Sequence, residues 1–302
     1  MTELERRYRW LLRAYPRAYR RYRADEMLET LLATADQRRR PDLREAAALV
    51  VGGLRARTGV DRLGSRSALG HSALRLSALP LLVYGVTLWA GGPISFLATM
   101  LSDGPYRPDA WWFIVIPALL TTALFAAAWG SYRLAFAATT LTLAAQLWSA
   151  NWWNQSLWSV YSLQGAIVPR FWPAVLASLA LLPLVRVPRT PVTRPWAWPV
   201  LGALTVAVLT PSPINGWSDA PLMSLYAFAA LAVIGAPIDA RLPIVASVLL
   251  LAPALAQASY QLYFREAGWE LGVSTTTILV LTAVMVSTLA AGTIAGRRQV
   301  RM

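Results

Sequence analysis

At 302 residues the chain is long enough for two ordinary domains, yet 56% of its residues are hydrophobic and only 14% are charged. With a mean hydropathy of +0.45, that balance points to a membrane protein. All 28 basic residues are Arg, there is one His and there is no Cys, which excludes disulfides, thiol catalysis, Cys-held zinc or iron–sulfur centres and any two-His site.

The first 75 residues carry 17 Arg and 9 acids, the other 227 carry 11 Arg and 6 acids. A charged module is therefore expected ahead of a hydrophobic body. Met1 to Arg23 is too rich in Arg to be a secretory signal, so the module is expected in the cytoplasm. Thr2 and Glu5 make a capping-box pattern before an apolar series at Leu4, Tyr8, Leu11, Leu12 and Tyr15. Pro16 suits the start of a second helix carrying Tyr19, Tyr22, Met27, Leu28, Leu31 and Leu32. A third helix would turn Leu43, Ala47, Val50 and Leu54 to one face. These place a three-helix module at 1–58, followed by a Gly/Ser/Arg joint at 59–75 that contains His71.

From Leu11 to Arg20 the module reads Leu-Leu-Arg-Ala-Tyr-Pro-Arg-Ala-Tyr-Arg, followed by Asp25-Glu26-Met27-Leu28 and Leu31-Leu32. This stretch resembles the short basic prefix of actinobacterial multi-pass membrane proteins, some of which carry it ahead of permease-like bodies. The resemblance is limited to about residues 1–55. It implies a membrane protein and no particular chemistry.

Eight uncharged runs follow: Leu76–Ser102, Ala110–Tyr132, Leu134–Pro169, Phe171–Val185, Pro195–Ser218, Ala220–Ile238, Leu242–Phe264 and Leu271–Gly296. A membrane-crossing helix needs roughly 20 apolar residues. The expectation is an all-α, eight-span domain over 76–296 with a basic tail at 297–302. The short fourth run gains Ile167–Pro169 if Arg170 snorkels to an interface. With both ends inside, the inner loops and tail hold 8 Arg and the outer loops 3, the asymmetry that orients membrane proteins. Similar sequences near Pro80–Pro93 and Pro199–Pro213, and the pairs Arg133-Leu134 and Arg241-Leu242, suggest a duplication of 76–190 in 195–296.

Candidate functional residues fall in two groups. Arg6, Arg9, Arg20, Arg23, Arg38, Arg39 and Arg40 would meet anionic headgroups or a partner protein. Their interleaving with Tyr also fits nucleic acid, but membrane tethering accounts for the same charge. Asn151, Trp152, Asn154 and Gln155 make an outer amide–indole cluster that serves either as an interfacial anchor or as a ligand surface. Asp25, Glu26 and Glu29 could hold a metal, but helical pairs Arg21–Asp25 and Arg23–Glu26 account for them better. No ionisable group is expected deep inside a span, which disfavours proton coupling.

No cofactor, metal set, phosphate loop or nucleophile–base pair is visible, so the chain is expected to be non-enzymatic. Without Lys it has no Gly-x-x-x-x-Gly-Lys loop, and ATP-driven work would need a second polypeptide. The leading expectation is a permease-like or accessory plasma-membrane subunit whose module docks a cytoplasmic partner such as an ATPase. The alternatives are a self-contained facilitator for an uncharged or amphiphilic molecule, and a membrane-tethered regulator that binds nucleic acid.

Overall fold

The computed structural model describes residues 2–35, 41–58, 66–90, 93, 101, 112–154, 160–187, 197, 200–201, 220–266 and 275–301. Among them the protein is all-helical, with ten α-helices, two short 3-10 helices and no strand.

Helix α1 (Glu3–Leu11) opens with the expected capping box. The Glu5 backbone N–H donates to Thr2 Oγ1 (3.2 Å), and the Thr2 N–H donates to Glu5 Oε2 (3.3 Å). A 3-10 turn, Leu12–Ala14, leads through Pro16 to α2 (Arg17–Thr34), and α3 spans Leu43–Thr58. Leu4, Tyr8, Leu12, Tyr15, Leu28, Ala35 and Leu49 form a core of their own. The Tyr8 hydroxyl donates to Glu45 Oε2 (2.8 Å), which ties α1 to α3. Tyr19 stacks on Tyr15, whereas Tyr22 is exposed.

The inward face of α3 differs from expectation. Leu43 and Ala47 are exposed, and Leu49 and Gly53 are buried instead. The reason is a close approach. A Cβ on Gly53 would stand 2.6 Å from Ala14 Cβ and 2.7 Å from the Ala14 carbonyl carbon. The helix therefore turns its glycines to the 3-10 segment, and Arg57 Nη2 donates to the Arg13 carbonyl (2.6 Å) beside them.

The body begins with α4 (Arg66–Trp89), so residues 66–75 of the expected joint continue as helix. It proceeds through α5 (Trp112–Ala128), α6 (Tyr132–Asn154), α7 (Val160–Leu181), α8 (Ala220–Gly235), α9 (Arg241–Glu266) and α10 (Thr275–Arg301). These helices cover seven of the eight uncharged runs. The run at 195–218 lies outside the described residues except at 197 and 200–201. Three helices are long and apolar enough to cross a membrane, at Gly70–Trp89, Arg241–Ser259 and Thr276–Arg297. Trp112–Ala128 and Leu225–Gly235 are apolar but shorter.

Helices α4, α5, α6 and α7 pack in a ring, each on the next and α7 back on α4. The α5–α6 turn closes through paired bonds, Ser131 N–H to Ala126 O (2.8 Å) and Gly130 N–H to Ala127 O (3.1 Å). Gly130 has φ 77°, the left-handed conformation this helix ending requires. Helix α9 is the hub of the remainder and touches α4, α7, α8 and α10. The two halves are not arranged alike among the described helices: α9 is central, whereas α6, third in its own half, packs on α5 and α7 at the periphery. Only 17% of the apolar window of α10 is buried within the protein, and Leu279, Val286 and Ile294 are exposed. So large an apolar face needs an apolar surrounding, which fits membrane association.

Candidate functional site

Three places in the fold gather polar chemistry. The first is the turn between α8 and α9. Asp239 is buried, accepts the Arg241 backbone N–H at Oδ1 (2.9 Å), and receives Nε (2.9 and 3.1 Å) and Nη2 (2.6 Å) of the same residue. Arg241 Nη1 donates to Ser72 Oγ on α4 (2.7 Å). From the module, Arg55 Nε donates to the Pro237 carbonyl on this turn (2.6 Å). Asp239 is thus half of an interior ion pair at the foot of the body.

The second place is an open cleft of about 500 Å³ on the module, lined by Arg6, Arg7, Trp10, Leu11, Pro41 and Ala46. The Trp10 side chain is 66% exposed. Glu3 pairs with Arg6 and with Arg7 Nε (3.0 Å), and Glu5 pairs with Arg9 (2.9 Å). The Arg7 hydrogen bond above all, aided by the charges of Arg6 and Arg7, holds the Glu3 carboxyl below its ordinary 4.5. Among the described residues the ion pairs expected in α2, Arg21–Asp25 and Arg23–Glu26, do not form, and the module's pairs lie in α1. Spacing alone permits both sets, and in α1 the acids also sit at the helix N-terminus, where the macrodipole favours them. Asp25, Glu26 and Glu29 are exposed, and no cluster able to hold a metal occurs among the described residues.

The structure thus brings Arg6 to the cleft and leaves Arg9 exposed beside Glu5. Arg20 is half-buried and Arg23 is exposed on α2. Arg38, Arg39 and Arg40 lie outside the described residues. Asn151, Trp152 and Asn154 end α6, but their side chains, and Gln155 altogether, also lie outside them.

The third place was missed by sequence reasoning. Arg170 does not sit at a helix end: it is the eleventh residue of the 22-residue α7, with its guanidinium over the Trp89 ring at 5.2 Å. This differs from the expectation that Arg170 marks the boundary of a short run and snorkels to an interface. A boundary drawn at every charge cut α7 in two, although apolar sequence flanks Arg170 on both sides. Two residues on, Trp172 Nε1 donates to Ser259 Oγ on α9 (3.0 Å). On α6, Gln146 is 1% exposed. Neither its amide oxygen nor its nitrogen has a hydrogen-bond partner, and neither does Trp89 Nε1.

Most buried hydroxyls in the body behave differently, although Ser178 Oγ on α7 also has no partner. Ser77, Thr87, Thr139, Thr142, Ser149, Ser247 and Thr288 are buried, and each donates to a carbonyl three or four residues earlier. Short hydroxyl side chains can satisfy themselves in this way within a helix. A glutamine amide, with two donors and an acceptor, needs partners from elsewhere.

No protein-family profile matches the chain, and neither does any curated protein or solved structure.

Proposed function

We propose that the chain is a multi-pass plasma-membrane protein of eight spans with both termini in the cytoplasm. It acts without catalysis of its own, as a permease-like or accessory subunit, and its N-terminal module docks a cytoplasmic ATPase. The observation that carries this reading is the module's construction. It has its own core, exposes Trp10 in a cleft it shares with Arg6 and Arg7, and grips the α8–α9 turn through Arg55. An exposed Trp flanked by Arg is typical of interface anchors, and it suits a partner offering an apolar side chain beside carboxylates. A pull on the module would reach α4 and α9 through Pro237, Asp239, Arg241 and Ser72. The eight-span count rests on the uncharged runs, and the orientation on the 8 Arg inside against 3 outside.

The test is purification of the full chain from its native host in mild detergent, with identification of what co-elutes. A stoichiometric ATPase is expected, and it should be lost when Trp10→Asp and Arg6→Glu are combined. A chain that elutes alone, or a partner retained by that variant, rejects the docking reading. Because the chain has no Cys, single cysteines report topology without background. Ser131→Cys should be shielded from an impermeant thiol reagent on intact cells, and Ser156→Cys should react.

A further inference from the structure

Of the unsatisfied polar atoms in the α4–α7 ring, Ser178 Oγ lies eight residues beyond Arg170 on α7, while those of Trp89 and Gln146 share one level, which the ring's cross-links fix. At the foot, the Arg75 guanidinium lies over the Tyr132 ring at 5.3 Å, which sets α4 against α6. Arg133 Nε donates to the Val185 carbonyl (3.3 Å), which sets α6 against the turn after α7. Trp89 is fourteen residues above Arg75, and Gln146 is fourteen above Tyr132. At a rise of about 1.5 Å per residue, both stand ~21 Å above the foot. Arg170, fifteen residues back from Val185 on the antiparallel α7, meets Trp89 directly.

Trp89 and Gln146 come from opposite corners of the ring, and α7, which carries Arg170, packs against both of their helices. Trp89 is 3% exposed and Gln146 is 1% exposed. Trp89 Nε1 and both amide atoms of Gln146 have no hydrogen-bond partner. Among the described residues no carboxylate pairs with Arg170; the body's one ion pair, Asp239–Arg241, lies at the other end of α4 beside Ser72. Buried polar atoms are otherwise satisfied almost without exception in folded proteins. The two donors among them, Trp89 Nε1–H and Gln146 Nε2, stand at the level of the Arg170 guanidinium and call for a ligand that accepts hydrogen bonds and carries negative charge.

We infer that the level of Trp89, Gln146 and Arg170 is a binding site for a compact oxyanion, a carboxylate or phosphate group. Arg170 supplies the charge, while Trp89 Nε1–H and Gln146 Nε2 supply directed donors. The Trp172–Ser259 bond, continued from Ser259 Oγ to the Leu255 carbonyl (2.7 Å), pins α7 to α9 two residues from Arg170 and fixes its height. The site belongs to the helical body and is independent of any partner at the module.

The test uses the purified full chain alone. In nanodiscs of neutral phosphatidylcholine, thermal unfolding is followed while sodium acetate or sodium phosphate replaces chloride at constant ionic strength. A second arm replaces part of the lipid with phosphatidylglycerol and adds no anion. A saturable rise of the unfolding temperature in the first arm identifies a free oxyanion; a rise in the second arm alone identifies a lipid phosphate. In either case Arg170→Gln, Gln146→Leu and Trp89→Phe should each weaken the response by about tenfold or more, the loss of one charge-assisted bond. Gln146→Leu also exchanges unpaired polar atoms for apolar ones, so without anion it should unfold no earlier than the parent. No saturable rise in either arm overturns the inference, as does a rise that Gln146→Leu and Trp89→Phe both retain.

Discussion

In the N-terminal module, tyrosines and leucines fill the core and the ion pairs lie outside, Glu3 with Arg6 and Arg7 and Glu5 with Arg9. In the body the pattern is inverted. Alanine and leucine fill the core, α10 turns Leu279, Val286 and Ile294 outward, and the pair Asp239–Arg241 is inside. The two regions are built for different solvents. In water a surface pair contributes between about 0 and 1 kcal/mol, because both ions are already well solvated. An interior pair matters chiefly when broken, since either ion left alone is buried without compensation.

The sharpest way to break this comparison is therefore to remove one ion from each region. Asp239→Ala leaves Arg241 buried and should destabilise the body by about 3 kcal/mol or more, read as a fall in its thermal unfolding temperature in detergent. The double replacement Asp239→Leu with Arg241→Met should recover most of that loss. Glu5→Ala in the module should leave the body's unfolding temperature unchanged. If Asp239→Ala proves as mild as Glu5→Ala, the α8–α9 turn is solvated and the inversion does not hold.

Backbone approach gives the next largest effect. A methyl on Gly53 would fall within 2.6 Å of Ala14 Cβ and 2.7 Å of its carbonyl carbon, neither of which can swing aside. Gly53→Ala should cost the module about 1–3 kcal/mol, the range for overpacking. The expected reading is faster trypsin cleavage within residues 1–58, with body fragments cut at the parental rate. Gly70, in α4, has nothing within 4 Å of an added methyl. Gly70→Ala should be neutral or stabilise by up to about 1 kcal/mol, because alanine restricts the unfolded chain. Equal sensitivity at both glycines would mean that α3 does not rest on the 3-10 turn.

These contrasts also show what the sequence could reveal. The capping box at Thr2 and Glu5 was legible because it is a local hydrogen-bond pattern at fixed spacing. The apolar runs of the body were legible because their length exceeds any ordinary core element. The inward face of α3 was not, since Leu43 and Leu54 outscore glycine in any reading by hydrophobicity, and only the tertiary approach to Ala14 favours Gly53. Arg170 was misplaced because charge was taken as a boundary, whereas a guanidinium can lie over an indole within a bundle. Gln146 carried a usable signal: Ala135, Ala138, Thr139, Thr142 and Ser149 share its face of α6 and are all buried. An amide on a stripe of small residues is an interior amide.

The hydroxyl of Tyr8 gives a smaller effect within the module. It is the polar tip of a side chain otherwise wholly in the core, and it donates to Glu45 on α3. Tyr8→Phe keeps the packing and removes the hydroxyl's bond to Glu45, so the module should lose about 1 kcal/mol. Measured beside Gly53→Ala by the same proteolysis, it separates the polar from the steric part of the α3 contact.

The smallest effect tests whether the module's outer pairs are solvated as their exposure implies. Glu3 is held below 4.5 in the folded chain, first by the Arg7 hydrogen bond and then by the charges of Arg6 and Arg7. A carboxyl lowered by folding contributes stability that is fully present above its unfolded value and is lost as pH falls through its folded one. Acidification from neutrality should thus loosen α1 only below about pH 4.5, and Glu3→Gln should remove that part of the pH dependence. Added salt should shrink the difference between the two proteins, because exposed charges are screened within about 10 Å at 0.1 M ionic strength. If the difference survived 1 M salt, the Glu3 cluster would be shielded from water, and the module would have to be regrouped with the body as a region that keeps its ions inside.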